Sequence, residues 1–167
     1  ASTYPDQTVS THWALPDHIQ IGLRWENDSF SIAIEGGLSL WSIQETAEFV
    51  LPESDPLVVQ YNWRNSGSVK VGGSWNPSKS FTIRAGTYID GIPAPGPTET
   101  LSPASPDATR VGGTLGAGIQ ITDAVVVNSA YEGMILLGRE SASPDAPMAR
   151  YQGNAHFFGV SVALKIP

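Results

Sequence analysis

Hydrophobic and polar residues alternate along several stretches of the chain, which is the pattern expected of β-strands whose two faces meet different surroundings. The clearest stretch is His18–Glu26, in which every second side chain is apolar. Its apolar positions are Ile19, Ile21, Leu23 and Trp25. The positions between them are polar, charged or glycine, so the pattern predicts a strand with one apolar face and one polar face.

The same alternation predicts about seven strands and no helix. The predicted strands are His18–Glu26, Phe30–Leu40, Ser68–Trp75, Phe81–Asp90, Arg110–Ile121, Val125–Arg139 and Ala149–Lys165. The first half of the last strand fits poorly, because Asn154 and His156 would share the apolar row of Phe158. We therefore expect a β-bulge near Phe157, where an extra residue would restore the alternation.

The predicted connections alternate between short and long. Short turns lie near residues 27, 77 and 122, and long segments run through about 44–66, 91–109 and 140–148. Outer-membrane barrels have short turns on the periplasmic side and longer loops outside the cell. The pattern therefore predicts that the three short turns are periplasmic and that the long segments lie at the cell surface.

The composition indicates a membrane-spanning sheet rather than membrane-spanning helices. Hydrophobic residues make up 41% of the chain and charged residues 15%, against about 25% charged residues in an ordinary soluble domain. No apolar run approaches the roughly 18 residues of a membrane-spanning helix, whereas about 10 residues suffice for a tilted strand. Only helices and closed barrels satisfy every backbone group in lipid. The predicted fold is therefore an all-β, antiparallel transmembrane β-barrel.

The charge and the residue types argue against several functions. A net charge of −7 leaves no basic surface for phosphates, so no nucleic acid partner is expected. The lack of cysteine removes thiol catalysis and cysteine-based zinc sites. The histidines His12, His18 and His156 are too scattered for a metal site, and no Ser/His/Asp arrangement stands out. We expect no enzymatic activity, no cofactor and no bound metal.

Several segments resemble the FadL family, the outer-membrane transporters of long-chain fatty acids and aromatic hydrocarbons. Ala14–Leu23 carries a Leu-Pro pair ahead of a strand glycine, as the family does where one of its strands begins. The best match is Phe81–Asp90, which is similar to a family segment that reads aromatic-Leu-Arg-Ala-Gly-Tyr. The prolines that follow, Pro93 and Pro95, are similar to the family's proline-bearing loop. The remaining similar segments are Glu35–Ser42, Asn62–Asn65, Thr114–Gly118 and His156–Val160.

The similar segments follow the family's order over about residues 13–164. Because the family's barrel has roughly fourteen strands, an even number as in other bacterial barrels, the resemblance implies that residues 13–167 form its C-terminal half. Residues 1–12 are then expected to be the remnant of an extracellular loop. A separate chain is expected to supply the N-terminal half and the plug. One departure is the ending Lys165-Ile166-Pro167, where family members usually have an aromatic residue.

The resemblance implies a channel in the bacterial outer membrane, surrounded by lipid, for passive uptake of fatty acids or similar hydrophobic molecules. One alternative is a structural or docking barrel of an envelope assembly that transports nothing. A second alternative is a soluble β-sandwich that acts as a binding module. Two features argue against the sandwich. The predicted strands are longer than the roughly 5–6 residues usual in soluble sandwiches, and the connections are short at one end of the sheet and long at the other.

The polar faces of the predicted strands carry the candidate site residues. The proposed ligand-binding residues, all facing the predicted lumen, are Arg84, Lys70, Arg24, Arg110 and Tyr88. The carboxylates proposed to form ion pairs with the cations are Glu26, Glu35, Asp90 and Glu132. Each cation has two readings, as a partner for a fatty-acid carboxylate or as a member of an ion-pair lattice that limits desolvation. Arg84 ranks first because it lies in the best-matching segment.

Overall fold

The computed structural model describes residues 8–52, 54–91, 108–141 and 148–164, and most of these residues lie in antiparallel strands. The strands are β1 Ser10–Thr11, β2 His18–Glu26, β3 Phe30–Ser39, β4 Thr46–Val50, β5 Leu57–Gln60, β6 Ser66–Ser78, β7 Phe81–Asp90, β8 Arg110–Thr122, β9 Val125–Glu140 and β10 Arg150–Leu164. A 3-10 turn spans Trp41–Ile43. In the described ranges, no helix has the length and apolar character needed to cross a membrane.

The main sheet has seven strands in the order β10-β9-β8-β7-β6-β3-β2, and every neighbouring pair is antiparallel. Strands that follow each other in this sheet are also neighbours in space, so the sheet is a simple meander. This confirms the predicted antiparallel all-β fold and its seven long strands. The boundaries differ by a few residues, most at β6, which extends to Ser78.

The apolar face of this sheet is not covered by any other described part of the chain. Large side chains on it are widely exposed, with Ile21 at 76%, Leu23 at 75%, Val160 at 77% and Phe158 at 81%. The buried hydrophobic residues in the described ranges are only Ala47 and Ala108. A soluble β-sandwich would bury such a face against a second sheet. The exposed apolar face fits a barrel wall in lipid and is incompatible with the sandwich.

Two aromatic side chains mark the short-turn end of the apolar face. Phe30 and Trp75, neighbours on β3 and β6, stack with ring centroids 6.0 Å apart. The backbone turn before Phe30 is fixed by Asn27, whose Oδ1 accepts hydrogen bonds from the N–H groups of Ser29 and Phe30. Aromatic girdles at the lipid boundary are a regular feature of outer-membrane barrels.

The prediction of an irregular loop over 44–66 is wrong in part. This segment contains β4 and β5, which form a second, three-stranded sheet with β1. Gln44, 2% exposed, holds the sheet in place. Its Oε1 accepts a hydrogen bond from the Ala14 N–H at 3.1 Å, and its Nε2 donates to the Thr46 carbonyl at 2.7 Å. Strands of two to five residues are too short to show the alternation from which the long strands were predicted.

An aromatic cluster lies beside this small sheet. The ring centroid of Trp63 is 5.0 Å from those of Trp41 and Tyr61 and 5.9 Å from that of Trp13. These contacts join the small sheet to the end of β3 and the start of β6. The other two predicted long connections, 91–109 and 140–148, fall almost entirely outside the described residues.

The predicted bulge near Phe157 is also wrong. Phe157 pairs with Glu132 in regular register. The register shift lies nearer the start of β10, between Tyr151 and Gly153, where two residues of β9 face one residue of β10. Asn154 and His156 therefore remain on the apolar face. His156 is tolerated there because its Nδ1 lies 2.8 Å from the Tyr131 hydroxyl, so its ring has a hydrogen-bond partner.

The sheet is open, with β2 and β10 as its edge strands. These edges have 9 and 15 residues respectively. An open edge leaves a row of unpaired N–H and C=O groups, and lipid offers them no partners. A membrane-spanning form of this sheet therefore requires further strands along both edges.

Candidate functional site

The candidate site residues all lie on one face of the sheet. Cross-strand partners share a face, and the register links polar positions into continuous rows. One row runs from Glu35 through Lys70 to Tyr88. Another runs from Arg24 through small residues to Glu132. The face opposite the exposed apolar side chains is thus a polar wall, which in a closed barrel becomes the lining of the lumen.

Three of the four candidate cations lie against a carboxylate on this wall. The pairs are Arg24 with Glu26 at 2.5 Å, Lys70 with Glu35 at 2.8 Å, and Arg110 with Asp90 at 2.6 Å. All six side chains are about 40–60% exposed, so each pair contributes little to stability, about 0–1 kcal/mol. Their main effect is to neutralise each other's charge along the wall.

Glu132 has a different partner from the one proposed. The Tyr88 hydroxyl donates a hydrogen bond to its Oε1 at 2.5 Å, although the two residues lie on β7 and β9 with β8 between them. The Tyr88 ring reaches across Gly112, where an added Cβ would lie 2.4 Å from the ring. Glycine is therefore required at position 112, and the crossing ties three strands together.

Arg84 differs from the other cations because its partner is neutral. Its Nη1 donates to Asn128 Oδ1 at 3.2 Å. Among the described residues no carboxylate forms an ion pair with it. The guanidinium extends over Gly118, whose added Cβ would lie 3.1 Å from Nη1. A positive charge with both hydrogen-bonding capacity and free space around it can accept an anionic group.

A hollow of about 640 Å³ lies next to Arg84 on the polar wall. Lys70 and Tyr88 also line it, and small residues make up much of the rest. The small residues on the same face as Arg84 are Gly72, Gly86, Gly116 and Ala130. Because they lack bulk, they leave a recess wide enough for an alkyl chain beside a charged group.

The sequence reasoning missed Asn128 as a site residue. Its position opposite the apolar row of β9 places it on the polar face, but nothing along the sequence linked it to Arg84, 44 residues away. Register across two strand pairs brings the two side chains together. Within the described ranges, no group of three or more His, Asp or Glu side chains is arranged to hold a metal ion.

Two solved structures share this fold. A FadL homologue from Pseudomonas aeruginosa superimposes with a TM-score of 0.78 and 22% identity, over 93% of this chain and 37% of that protein. The toluene transporter TbuX of Ralstonia pickettii superimposes with a TM-score of 0.56 and 19% identity, over 93% of this chain and 35% of that protein. The seven-stranded sheet therefore matches part of a larger barrel in both.

Sequence comparison gives a further relative but no family model that matches. The relative is a protein of Neisseria meningitidis serogroup B (strain ATCC BAA-335 / MC58), provisionally described as an outer membrane protein. It is 27% identical over an alignment of 123 positions, which covers 68% of this chain and 26% of the relative. The chain thus spans about a quarter of that relative and somewhat over a third of the solved structures.

The fold class is that of an antiparallel outer-membrane β-barrel, of which this chain forms seven strands. The resemblance to the FadL family is confirmed, since the sheet has the fold of part of a FadL-type barrel. The fold and the Neisseria relative together place the chain in the bacterial outer membrane.

Proposed function

We propose that this chain forms part of the wall of a channel for passive uptake of hydrophobic molecules with an anionic head, long-chain fatty acids being the model case. The observation that carries the proposal is Arg84, a lumen-facing cation without an acidic partner among the described residues, beside a hollow lined by small residues. The likeness to a FadL homologue and to a toluene transporter supports a transport role without chemical reaction.

Arg84 is suited to an anionic head because its charge is not already neutralised. Two opposite charges about 4 Å apart attract by about 4 kcal/mol at an effective dielectric constant of about 20. A guanidinium also presents a planar fork that binds a carboxylate through two hydrogen bonds. Asn128 is a weak competitor because it is neutral, so a carboxylate can replace it at Nη1. The paired cation Lys70 would have to give up Glu35 first.

The hollow gives the alkyl chain a place next to the head. Each CH₂ group removed from water contributes about 0.8 kcal/mol, so even a few methylenes on the small-residue surface add to the attraction at Arg84. A ligand bound through both parts is held in one orientation, with its head at Arg84 and its chain along the wall. Uncharged hydrocarbons would use the hollow without the head contact.

The test compares Arg84→Ala with Arg24→Ala in the complete barrel. We expect Arg84→Ala to lower uptake of a long-chain carboxylate by about tenfold, the loss of roughly 1.4 kcal/mol of head-group binding. Uptake of an uncharged hydrocarbon of equal chain length should change little. Arg24→Ala is the matched control, because it also removes one lumen-facing cation but lies outside the hollow. Equal losses for both substrates in Arg84→Ala would contradict the proposal.

We further propose that strands outside this sequence complete the barrel, adding about seven strands and the plug. Support comes from the two open edges, β2 and β10. Bacterial single-chain barrels have even strand numbers, and the seven strands here are an odd number. The chain's coverage of 37% of the solved FadL homologue leaves room for the remaining wall and a plug.

A further inference from the structure

The membrane-facing side of β10 changes from apolar to polar within one strand. Its second half presents Phe158, Val160, Val162 and Leu164, whereas its first half presents Arg150, Gln152, Asn154 and His156 at the same alternate positions. Both halves share one face, because His156 pairs with Gly133 and Phe158 pairs with Tyr131 in the same register. Four polar side chains in succession on the lipid-facing row of β10 require polar surroundings at that depth of the membrane.

A recess of about 480 Å³ adjoins this polar row. Gly113 and Gly133 on neighbouring strands form its floor, with Val111 and Ile135 beside them. Asn154 and His156 form its polar edge on β10. The recess therefore combines an apolar surface, open to the membrane, with polar groups along one side.

The polar edge of the recess is held in position. Tyr131 and His156 stack with ring centroids 6.0 Å apart, and the Tyr131 hydroxyl lies 2.8 Å from His156 Nδ1. The Nε2 atom of His156 has no hydrogen-bond partner among the described residues. A ring fixed in this way can meet a ligand without first losing its own rotational freedom.

A cation lies further along the same row. The Arg150 and Gln152 side chains lie together over Gly138, whose added Cβ would lie 3.0 Å from Arg150 Nε and 3.3 Å from Gln152 Oε1. Glu140 is the backbone partner of Arg150 on β9. Even so, no ion pair involving Arg150 is formed among the described residues. Its guanidinium is therefore available to an anion such as a phosphate.

The polar half of β10 lies at the end away from the short turn between β8 and β9. In the orientation proposed from the connection lengths, this end faces the outer leaflet. We propose that the surface formed by Arg150, Gln152, Asn154, His156 and the adjoining recess binds a phosphorylated glycolipid of that leaflet. Arg150 binds a phosphate, the amides and His156 bind sugar hydroxyls, and an acyl chain lies in the recess over Gly113.

The test uses the complete barrel, purified in mild detergent, with lipid A as the probe. Lipid A is an acylated, diphosphorylated glucosamine disaccharide, and phosphatidylglycerol serves as the competing anionic lipid. Native mass spectrometry measures which lipid stays bound. Arg150→Ala removes the phosphate contact. Gly113→Val fills the recess without backbone strain, since the nearest atom to an added Cβ lies at 3.9 Å.

Lipid A should remain bound to the wild type in preference to phosphatidylglycerol, and each variant should retain about tenfold less of it, the effect of losing one charge-assisted contact or one apolar surface. Arg64→Ala, which removes a loop cation outside this surface, should retain lipid A as the wild type does. Unchanged retention in both Arg150→Ala and Gly113→Val would overturn the proposal, as would equal retention of phosphatidylglycerol by the wild type.

The result is separable from that of the channel proposal, although both rest on the same barrel. Arg84 lies on the opposite face of the sheet, so Arg84→Ala should leave lipid A retention unchanged. Conversely, Arg150→Ala should not alter the ratio of carboxylate to hydrocarbon uptake. A change of that ratio in Arg150→Ala, without loss of lipid A, would assign Arg150 to the transport path and contradict the glycolipid site.

Discussion

At the scale of single residues, the partner of each lumen-facing cation decides what the cation can do. Arg24, Lys70 and Arg110 each lie within 2.8 Å of a carboxylate, whereas Arg84 meets an amide oxygen. The paired cations balance Glu26, Glu35 and Asp90. The charge of Arg84 alone is available to a ligand among these four.

The two faces of a strand should also differ at the scale of one residue. Leu115 is 60% exposed on the apolar face, and its neighbour Thr114 lies on the polar face opposite Glu132. We expect Leu115→Arg to destabilise the barrel by about 2–4 kcal/mol, because a basic side chain would face lipid near mid-depth. Thr114→Arg should cost less, since its charge would meet Glu132.

Equilibrium unfolding of the complete barrel in urea, in the presence of lipid vesicles, measures both free energies. Wild-type protein and Leu115→Ala serve as controls, the latter separating loss of the leucine from introduction of the charge. Equal costs for Leu115→Arg and Thr114→Arg would mean that the two faces are assigned wrongly.

At the scale of elements, the long strands were predictable and the short ones were not. Strands of 9 to 16 residues repeat the alternation often enough to be recognised, as in β2 and β9. The strands of the small sheet, such as β5 with four residues, are held by tertiary contacts that sequence patterns do not reveal. The prediction of a bulge near Phe157, in β10, is wrong because it assumes that Asn154 and His156 avoid the apolar face, whereas the extra residue lies in β9.

The candidate site was predictable in its face but not in its contacts. The alternation of apolar and polar residues alone assigned Arg84 and the other three candidate cations to the polar face of the sheet. Which carboxylate each one meets depends on register between strands, as for Lys70 and Glu35, which are 35 residues apart. Nothing in the local sequence specifies that Arg84 meets Asn128 rather than an acid.

The connections between strands carry a prediction about orientation. Single cysteines replacing Asp28 or Asp123 lie at short turns, and a cysteine replacing Ser54 lies in the long segment between β3 and β6. Because short turns are periplasmic in outer-membrane barrels, only Ser54→Cys should react with a membrane-impermeant maleimide on intact cells. Lysed cells provide the control, in which all three should react. Labelling of the two turn positions on intact cells, with none at Ser54→Cys, would invert the orientation.

At the scale of the whole molecule, the seven-stranded sheet has the fold of a partial barrel wall. Its exposed apolar face suits lipid and its polar face suits a lumen, but its edges β2 and β10 have no partners within the described sheet. Strands from outside this sequence would satisfy both edges at once. Transport, lumenal ligand binding and the proposed glycolipid site all depend on that closure.

The most direct test of this account is a cryo-electron microscopy structure of the protein purified from outer membranes in lipid nanodiscs. We predict a closed barrel in which β2 and β10 each pair with a strand from outside this sequence, with the apolar face of the sheet towards lipid and Arg84 in the lumen. A closed barrel formed by this chain alone, with β2 paired to β10, would contradict the account.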